Sequence, residues 1–260
     1  MTSRKRRSFE RDLSEEEALI RTNHFQEKSP PRNIKFSLAE LLVWSALASV
    51  FLMLDSARNN LIRSIYPDIM TQSWALWWNT FTGSLLSALA LMGMFRVLVT
   101  GVSLLRFQPG HWILLVSGIA VVTCTSGDLW MIRNFKGDMG RLEVDTAVAL
   151  FSDGFPSAVG YAAAAALLKG NHYWRAFFCW QASLGFWNAS WAMAYFLGSP
   201  LYGIELSLPA FIGGGILYSL AVYQSVLRQS ATSSLHWIGV FYLGLRLVSG
   251  VVTLGLQLFE

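Results

Sequence analysis

Residues 237–258 read WIGVFYLGLRLVSGVVTLGLQL, with Arg246 as their one charge. A bilayer's hydrocarbon core is about 30 Å thick and takes about 20 residues of apolar helix to cross. This stretch is long enough. An arginine at the centre of such a helix costs roughly 2.5–3.5 kcal/mol on insertion, so its surroundings matter. At a 3.6-residue period, Gly239, Tyr242, Arg246, Ser249, Gly250, Thr253 and Gln257 share one face, and Leu, Val and Phe fill the opposite one. The first face suits other helices and the second suits lipid.

Working outward, similar apolar runs cover 36–54, 73–95, 111–132, 145–168, 175–197 and 208–227. Composition agrees: 53% of residues are hydrophobic and 14% charged, and mean hydropathy is +0.42. A soluble domain carries about 25% charged residues, so too little charge remains here for a water-facing surface. Tryptophans mark the segment ends, as indole prefers the headgroup level. Trp74, Trp77 and Trp78 open the second run, Trp112 the third, Trp174 the fifth and Trp237 the seventh, while Trp130 closes the third. The reading is an all-α polytopic transmembrane helical bundle of about seven spans over residues 36–260. Its doubtful stretch is 96–110. Apolar character resumes there after Arg96 through Val97–Leu105, either as one long tilted helix or as a helix plus an interfacial stub.

Residues 1–35 form a second part, a weakly structured basic tail. It holds nine Lys/Arg and six acids, including Glu15-Glu16-Glu17, and ends near Pro30-Pro31. A short helix over Leu13–Arg21, capped by Ser14, fits inside it. The loops carry equal numbers of basic residues on the two sides. Arg96, Arg106, Lys169, Arg175 and Arg228 fall on one, and Arg58, Arg63, Arg133, Lys136 and Arg141 on the other. The tail therefore decides orientation: N-terminus cytoplasmic, C-terminus outside. The first apolar run opens only behind this charged leader and is expected to remain as an anchor. The tail followed by Phe36-Ser37-Leu38 resembles the start of many bacterial membrane proteins, which implies a bacterial cytoplasmic membrane and no particular activity. A basic tail beside a first span is topogenic, so nucleic acid is not an expected partner. Cys124 and Cys179 lie in apolar segments without disulfide or zinc spacing and read as buried thiols.

Polar residues at membrane depth carry the functional reading, because each is costly there. Asp153 shares a face with Ala149, Ser157, Gly160 and Ala164. It opens Asp153-Gly154-Phe155-Pro156, where Pro156 removes a donor and Gly154 weakens the turn, so a kink or break is expected. Discontinuous helices often mark transporter sites. Asp153 and Arg246 reach similar depth on inward faces and should either pair or share a polar cavity. Asp128 is expected to reach the outer interface and pair with Arg133 or Arg141, and Glu40 is expected to do likewise at the inner end. In the fifth segment Trp180, Gln181, Leu184, Trp187, Asn188, Trp191 and Tyr195 form a ridge. Its amides, Gln181 and Asn188, suit either a ligand wall or interhelical hydrogen bonding.

His111, His172 and His236 open alternate segments and read as an interfacial belt. They lack metal-ligand pairing along a helix, so neither a metal nor another cofactor is expected. Gly213-Gly214-Gly215 lies in an apolar run and is a packing or hinge feature, not a phosphate loop. Acid, base and nucleophile do not converge, which ranks catalysis third. Two function classes precede it. One is a small transporter or channel-like protein built around Asp153 and Arg246, with a small solute or ion as partner. The other is a non-catalytic module, a subunit or sensor acting on a membrane protein through helix contacts.

Overall fold

The computed structural model describes residues 37–65, 74–134, 139–168, 170–196, 207–227 and 233–259. The basic tail and its Leu13–Arg21 helix lie outside them. The described residues form seven α-helices and no strand: α1 Leu38–Ile65, α2 Trp74–Val99, α3 Pro109–Asn134, α4 Met139–Leu167, α5 His172–Phe196, α6 Ser207–Leu227 and α7 Ser234–Phe259. Each occupies one of the seven apolar segments. Four are long and apolar enough to cross a membrane: Leu38–Leu61, Trp74–Val99, Pro109–Trp130 and Ser234–Thr253. The apolar stretch in α6, Ile212–Leu227, is shorter.

The largest difference from the sequence reading is in α1, which continues to Ile65 rather than stopping near residue 54. No glycine or proline interrupts the chain between Phe36 and Tyr66. Polar residues alone do not end a helix, so Asp55, Arg58 and Asn59 lie on the helix, not in a loop. Its start is a capping box. The Ser37 N–H donates to Glu40 Oε2 at 2.8 Å, and the Glu40 N–H donates back to Ser37 Oγ at 3.2 Å. Residues 96–110 add no further crossing helix. α2 ends at Val99, Gly101 takes a left-handed φ of 62°, and a single 3₁₀ turn, Leu104–Arg106, leads into Pro109 at the start of α3.

Cross-helix bonds fix the order. At the near end, where α1, α3, α5 and α7 begin, Arg96 Nε of α2 donates to Glu40 Oε1 at 3.1 Å. There too, Arg175 Nε of α5 donates to the Ala165 carbonyl of α4 at 3.0 Å. Trp174 Nε1 donates to Ser225 Oγ of α6 at 2.8 Å, inside a buried aromatic cluster with Phe177 and Phe178. Towards the far end, Ser84 Oγ of α2 donates to Asp55 Oδ2 at 2.8 Å, and Asn59 Nδ2 donates to Thr80 Oγ1 at 2.8 Å. α3 sits centrally, touching α1, α2, α4 and α7.

The near end also holds a close backbone crossing. A Cβ on Gly110 would overlap the His236 carbonyl, and one on Gly239 would overlap the Gly110 carbonyl. The N-termini of α3 and α7 therefore cross backbone to backbone. Gly110 N–H donates to His236 Nδ1 at 3.0 Å. His111 Nε2 meets Ser233 Oγ at 2.8 Å, and Ser233 N–H donates to Gln108 Oε1 at 3.0 Å. Buried in this crossing, His111 and His236 depart from the belt reading, while His172 is exposed. His111 and His236 are 6% and 1% exposed, because this crossing leaves N-terminal backbone donors that imidazole nitrogens can satisfy.

α4 and α5 form the other close crossing. A Cβ on Gly154 would stand 2.8 Å from the Gly185 carbonyl, and one on Gly185 would stand 2.6 Å from the Ala158 amide. Small residues at four-residue spacing, Gly154/Ala158 against Gly185/Ala189, let the backbones touch. Of the kink or break expected at Asp153–Pro156, the break does not occur: α4 is continuous with Pro156 inside it. The Ser152 carbonyl, deprived of its partner by Pro156, instead accepts Thr123 Oγ1 of α3 at 2.7 Å. A neighbouring hydroxyl re-satisfies the freed group, and the helix survives its proline.

Candidate functional site

Beyond the near-end crossing, α3 and α7 are separated by a cavity of about 340 Å³. α1 supplies Asp55 and Arg58 to its wall, α2 Asn79, Gly83 and Ser87, and α3 Ser117, Cys124, Thr125 and Asp128. α4 supplies Asp153, and α7 supplies Tyr242, Arg246, Ser249 and Gly250. A second cavity of about 250 Å³ lies between α4, α5, α6 and α7. Its polar wall is Asp153, Ser157, Tyr161, Gln181, Asn188 and Arg246, and Leu184, Leu243 and Leu247 are apolar neighbours. Asp153 and Arg246 belong to both cavities.

The local folding of each helix explains how these charges come to face inward. Along α7, Phe241, Leu245, Val248 and Val251 are exposed in one stripe. Arg246 lies off that stripe with buried Tyr242, whose hydroxyl is close to the guanidinium. Arg246 is nonetheless exposed at mid-helix. It lines both cavities. Along α4, Phe151, Phe155 and Val159 are exposed, and the rings of Phe151 and Phe155 stack at 5.1 Å. Asp153 stands off that side, half-buried.

Of the two arrangements open to Asp153 and Arg246, the structure has the shared cavity. The described ion pairs are Arg58–Asp128, with Nε to Oδ1 at 3.5 Å, and Arg96–Glu40. Asp128 is therefore matched by Arg58 of α1, which the longer α1 brings level with it, and not by Arg133; Arg141 lies outside the described side chains. Glu40, at the start of α1, pairs across to Arg96 of α2. Arg58 Nε and Asp128 Oδ1 are buried without a hydrogen bond. Their pairing is electrostatic and loose.

Every polar residue singled out in the sequence for binding lies on these walls: Asp128 on the first, Gln181 and Asn188 on the second, Asp153 and Arg246 on both. Gly154 lines the second cavity, whereas Pro156 lines neither. The α5 ridge divides. Trp180 donates to the Ala210 carbonyl at 3.3 Å and packs on Gly213 of α6, while Gln181, Leu184 and Asn188 face the cavity. Sequence reasoning missed Asp55 and Arg58. The signal was the uninterrupted run to Tyr66, which carries the face of Phe51 on to both residues at helical spacing. Among the described residues, no group of three or more His, Cys, Asp or Glu is placed to hold a metal ion.

The arrangement offers a small solute charge, hydrogen bonds and a short apolar wall within the bundle. No protein-family model matches the chain, and no match to it is found among curated proteins or solved structures.

Proposed function

We propose that the protein is a small-solute transporter, with its basic tail on the cytoplasmic side and Asp153 and Arg246 at the midpoint of its path. One observation carries the reading: an acid and a base deep in the bundle stand on the shared wall of two polar cavities. A buried ion pair serving only helix register would be closed and mutually satisfied. Charges kept in membrane-depth cavities more often mark a substrate or ion path. The supporting groups suit that role, since Gln181, Asn188, Ser157 and Tyr161 orient a solute through hydrogen bonds without adding charge.

Accessibility tests this without knowing the solute. In a background carrying Cys124→Ser and Cys179→Ser, Ser87→Cys places one thiol on the first cavity and Ser157→Cys one on the second. A membrane-impermeant methanethiosulfonate is added to either side of oriented vesicles. Transport expects both cavities to be modified, with the two aqueous sides together reaching both thiols. If neither thiol reacts from either side, the cavities are sealed, and the alternative of a module acting through helix contacts replaces this reading.

A further inference from the structure

We infer that the solute is a small zwitterion, a molecule bearing one ammonium and one carboxylate. The inference rests on the transporter reading for its purpose, but its chemistry comes from two opposite charges that feel each other without closing into an ion pair. Arg58 faces Asp128, Glu40 faces Arg96, and Asp55 accepts a hydrogen bond from Ser84. Asp153 and Arg246 have no ion-pair partner among the described residues, although one cavity wall holds both. Two opposite charges held apart at membrane depth are each unfavourable alone, and a ligand carrying the complementary pair neutralises both at once. A simple anion or cation would satisfy one and leave the other.

The second cavity is the better seat. Its remaining polar groups are neutral, whereas the first cavity adds Asp55, Arg58 and Asp128, whose charges compete for a ligand's ends. The Arg246 fork receives a carboxylate with two parallel hydrogen bonds, and Asp153 receives an ammonium. Gln181 and Asn188 complete the polar side, and Leu184 and Leu247 lie beside it. Its 250 Å³ equals about eight water volumes at roughly 30 Å³ each. That suits a solute of similar heavy-atom number, such as a short amino acid, and excludes peptides of several residues.

Binding to the purified full-length protein in detergent separates this from transport itself. Glycine, β-alanine and 4-aminobutyrate are compared with acetate, propionate, methylammonium and propylammonium by ligand-induced thermal stabilisation. At least one zwitterion should bind on the order of 30-fold more tightly than its single-charge analogues, the lower end for leaving one buried charge unmatched. Asp153→Asn should erase that preference and favour the carboxylates. Arg246→Gln should erase it in favour of the ammonium ions. These are selectivity changes that general unfolding does not produce, and Arg246→Lys keeps the charge if Arg246→Gln folds poorly. Equal binding of single-charge ligands overturns the inference, as does a zwitterion preference surviving both neutralising variants. Zwitterion binding with cavities sealed to the thiol reagent would sink the transport reading and leave this one standing.

Discussion

The two ends of the contact between α3 and α7 follow opposite rules. At the near end, Gly110 and Gly239 bring the backbones together, and His111, His236, Ser233 and Gln108 bond to one another and to the Gly110 amide, leaving only the buried His236 Nε2 of this group without a hydrogen bond. Further along, the same helices stand apart around Ser117, Cys124, Asp128, Tyr242, Arg246 and Ser249. Close packing leaves no room for water and makes every atom matter to stability. A cavity wall tolerates change in shape, because its side chains face space instead of neighbours. Stability should therefore be concentrated at the near end and selectivity at the cavity end.

The most severe way to break that contrast is Gly110→Ala. The new methyl has no room beside the His236 carbonyl, so the helices must separate, at about 3 kcal/mol, the upper end of overpacking penalties. The control is Gly83→Ala on the cavity wall, where a Cβ meets nothing within 4 Å and loss of a helical glycine gains about 0.5–1 kcal/mol. Melting temperatures in one detergent compare the two. Equal losses would mean that the cavity is an artefact of loose packing and not a built space.

A smaller effect is expected at the ion pair between α1 and α3. Arg58→Met leaves Asp128, which is 8% exposed, without its counter-charge. A fully buried pair would lose about 3–5 kcal/mol on such truncation, but the Arg58 side chain is 37% exposed, so about 1–3 kcal/mol is expected. Adding Asp128→Asn should recover part of this loss. Absence of coupling in that cycle would show that α1 is not held to α3 by charge.

Next in size is the proline in α4. Thr123→Val removes the hydroxyl that serves the Ser152 carbonyl, at about 1 kcal/mol. Pro156→Ala restores the local N–H donor and should make the same Thr123 substitution nearly silent. A Thr123 loss that is identical in both backgrounds would mean that the hydroxyl acts elsewhere, for instance on its own helix, where it also reaches Ala120.

The smallest stability effects belong to the functional pair. Asp153→Asn and Arg246→Gln should each shift stability by about 1 kcal/mol or less, and the double variant should depart from their sum by no more than about 1 kcal/mol, the modest coupling of two residues that share a cavity without pairing. Two large losses that cancel in the double variant would convert the site into a dry structural pair and erase the contrast with Arg58 and Asp128.

Much of this was legible before any coordinates. Hydropathy located seven helices because each carries a long apolar run, and four of them are long and apolar enough to cross a membrane. Helical periodicity put Asp153, Arg246, Gln181 and Asn188 on inward faces, and all four line cavities. What escaped had two causes. The length of α1 was hidden because Arg58, Asn59 and Asn60 look like loop residues, although no breaker precedes Pro67. The histidine network was hidden because its partners are far apart in the chain, Gly110 with His236 and Gln108 with Ser233, and no local pattern announces a crossing. The break expected at Pro156 failed for a related reason, since the group that rescues Ser152 comes from another helix.

The spacing of Asp55 and Arg58 has a consequence for biogenesis. α1 leaves the ribosome before Ser84 and Asp128 have been made, so its two polar residues reach the membrane ahead of their native partners. Three residues apart on one helix, an acid and a base are neighbours and can offset part of each other's insertion cost. α1 can therefore enter the bilayer alone, carrying its own temporary counter-ion. In the folded protein Asp55 accepts from the Ser84 hydroxyl and Arg58 faces Asp128, so the same two residues that can shield each other on a lone helix tie α1 to α2 and α3.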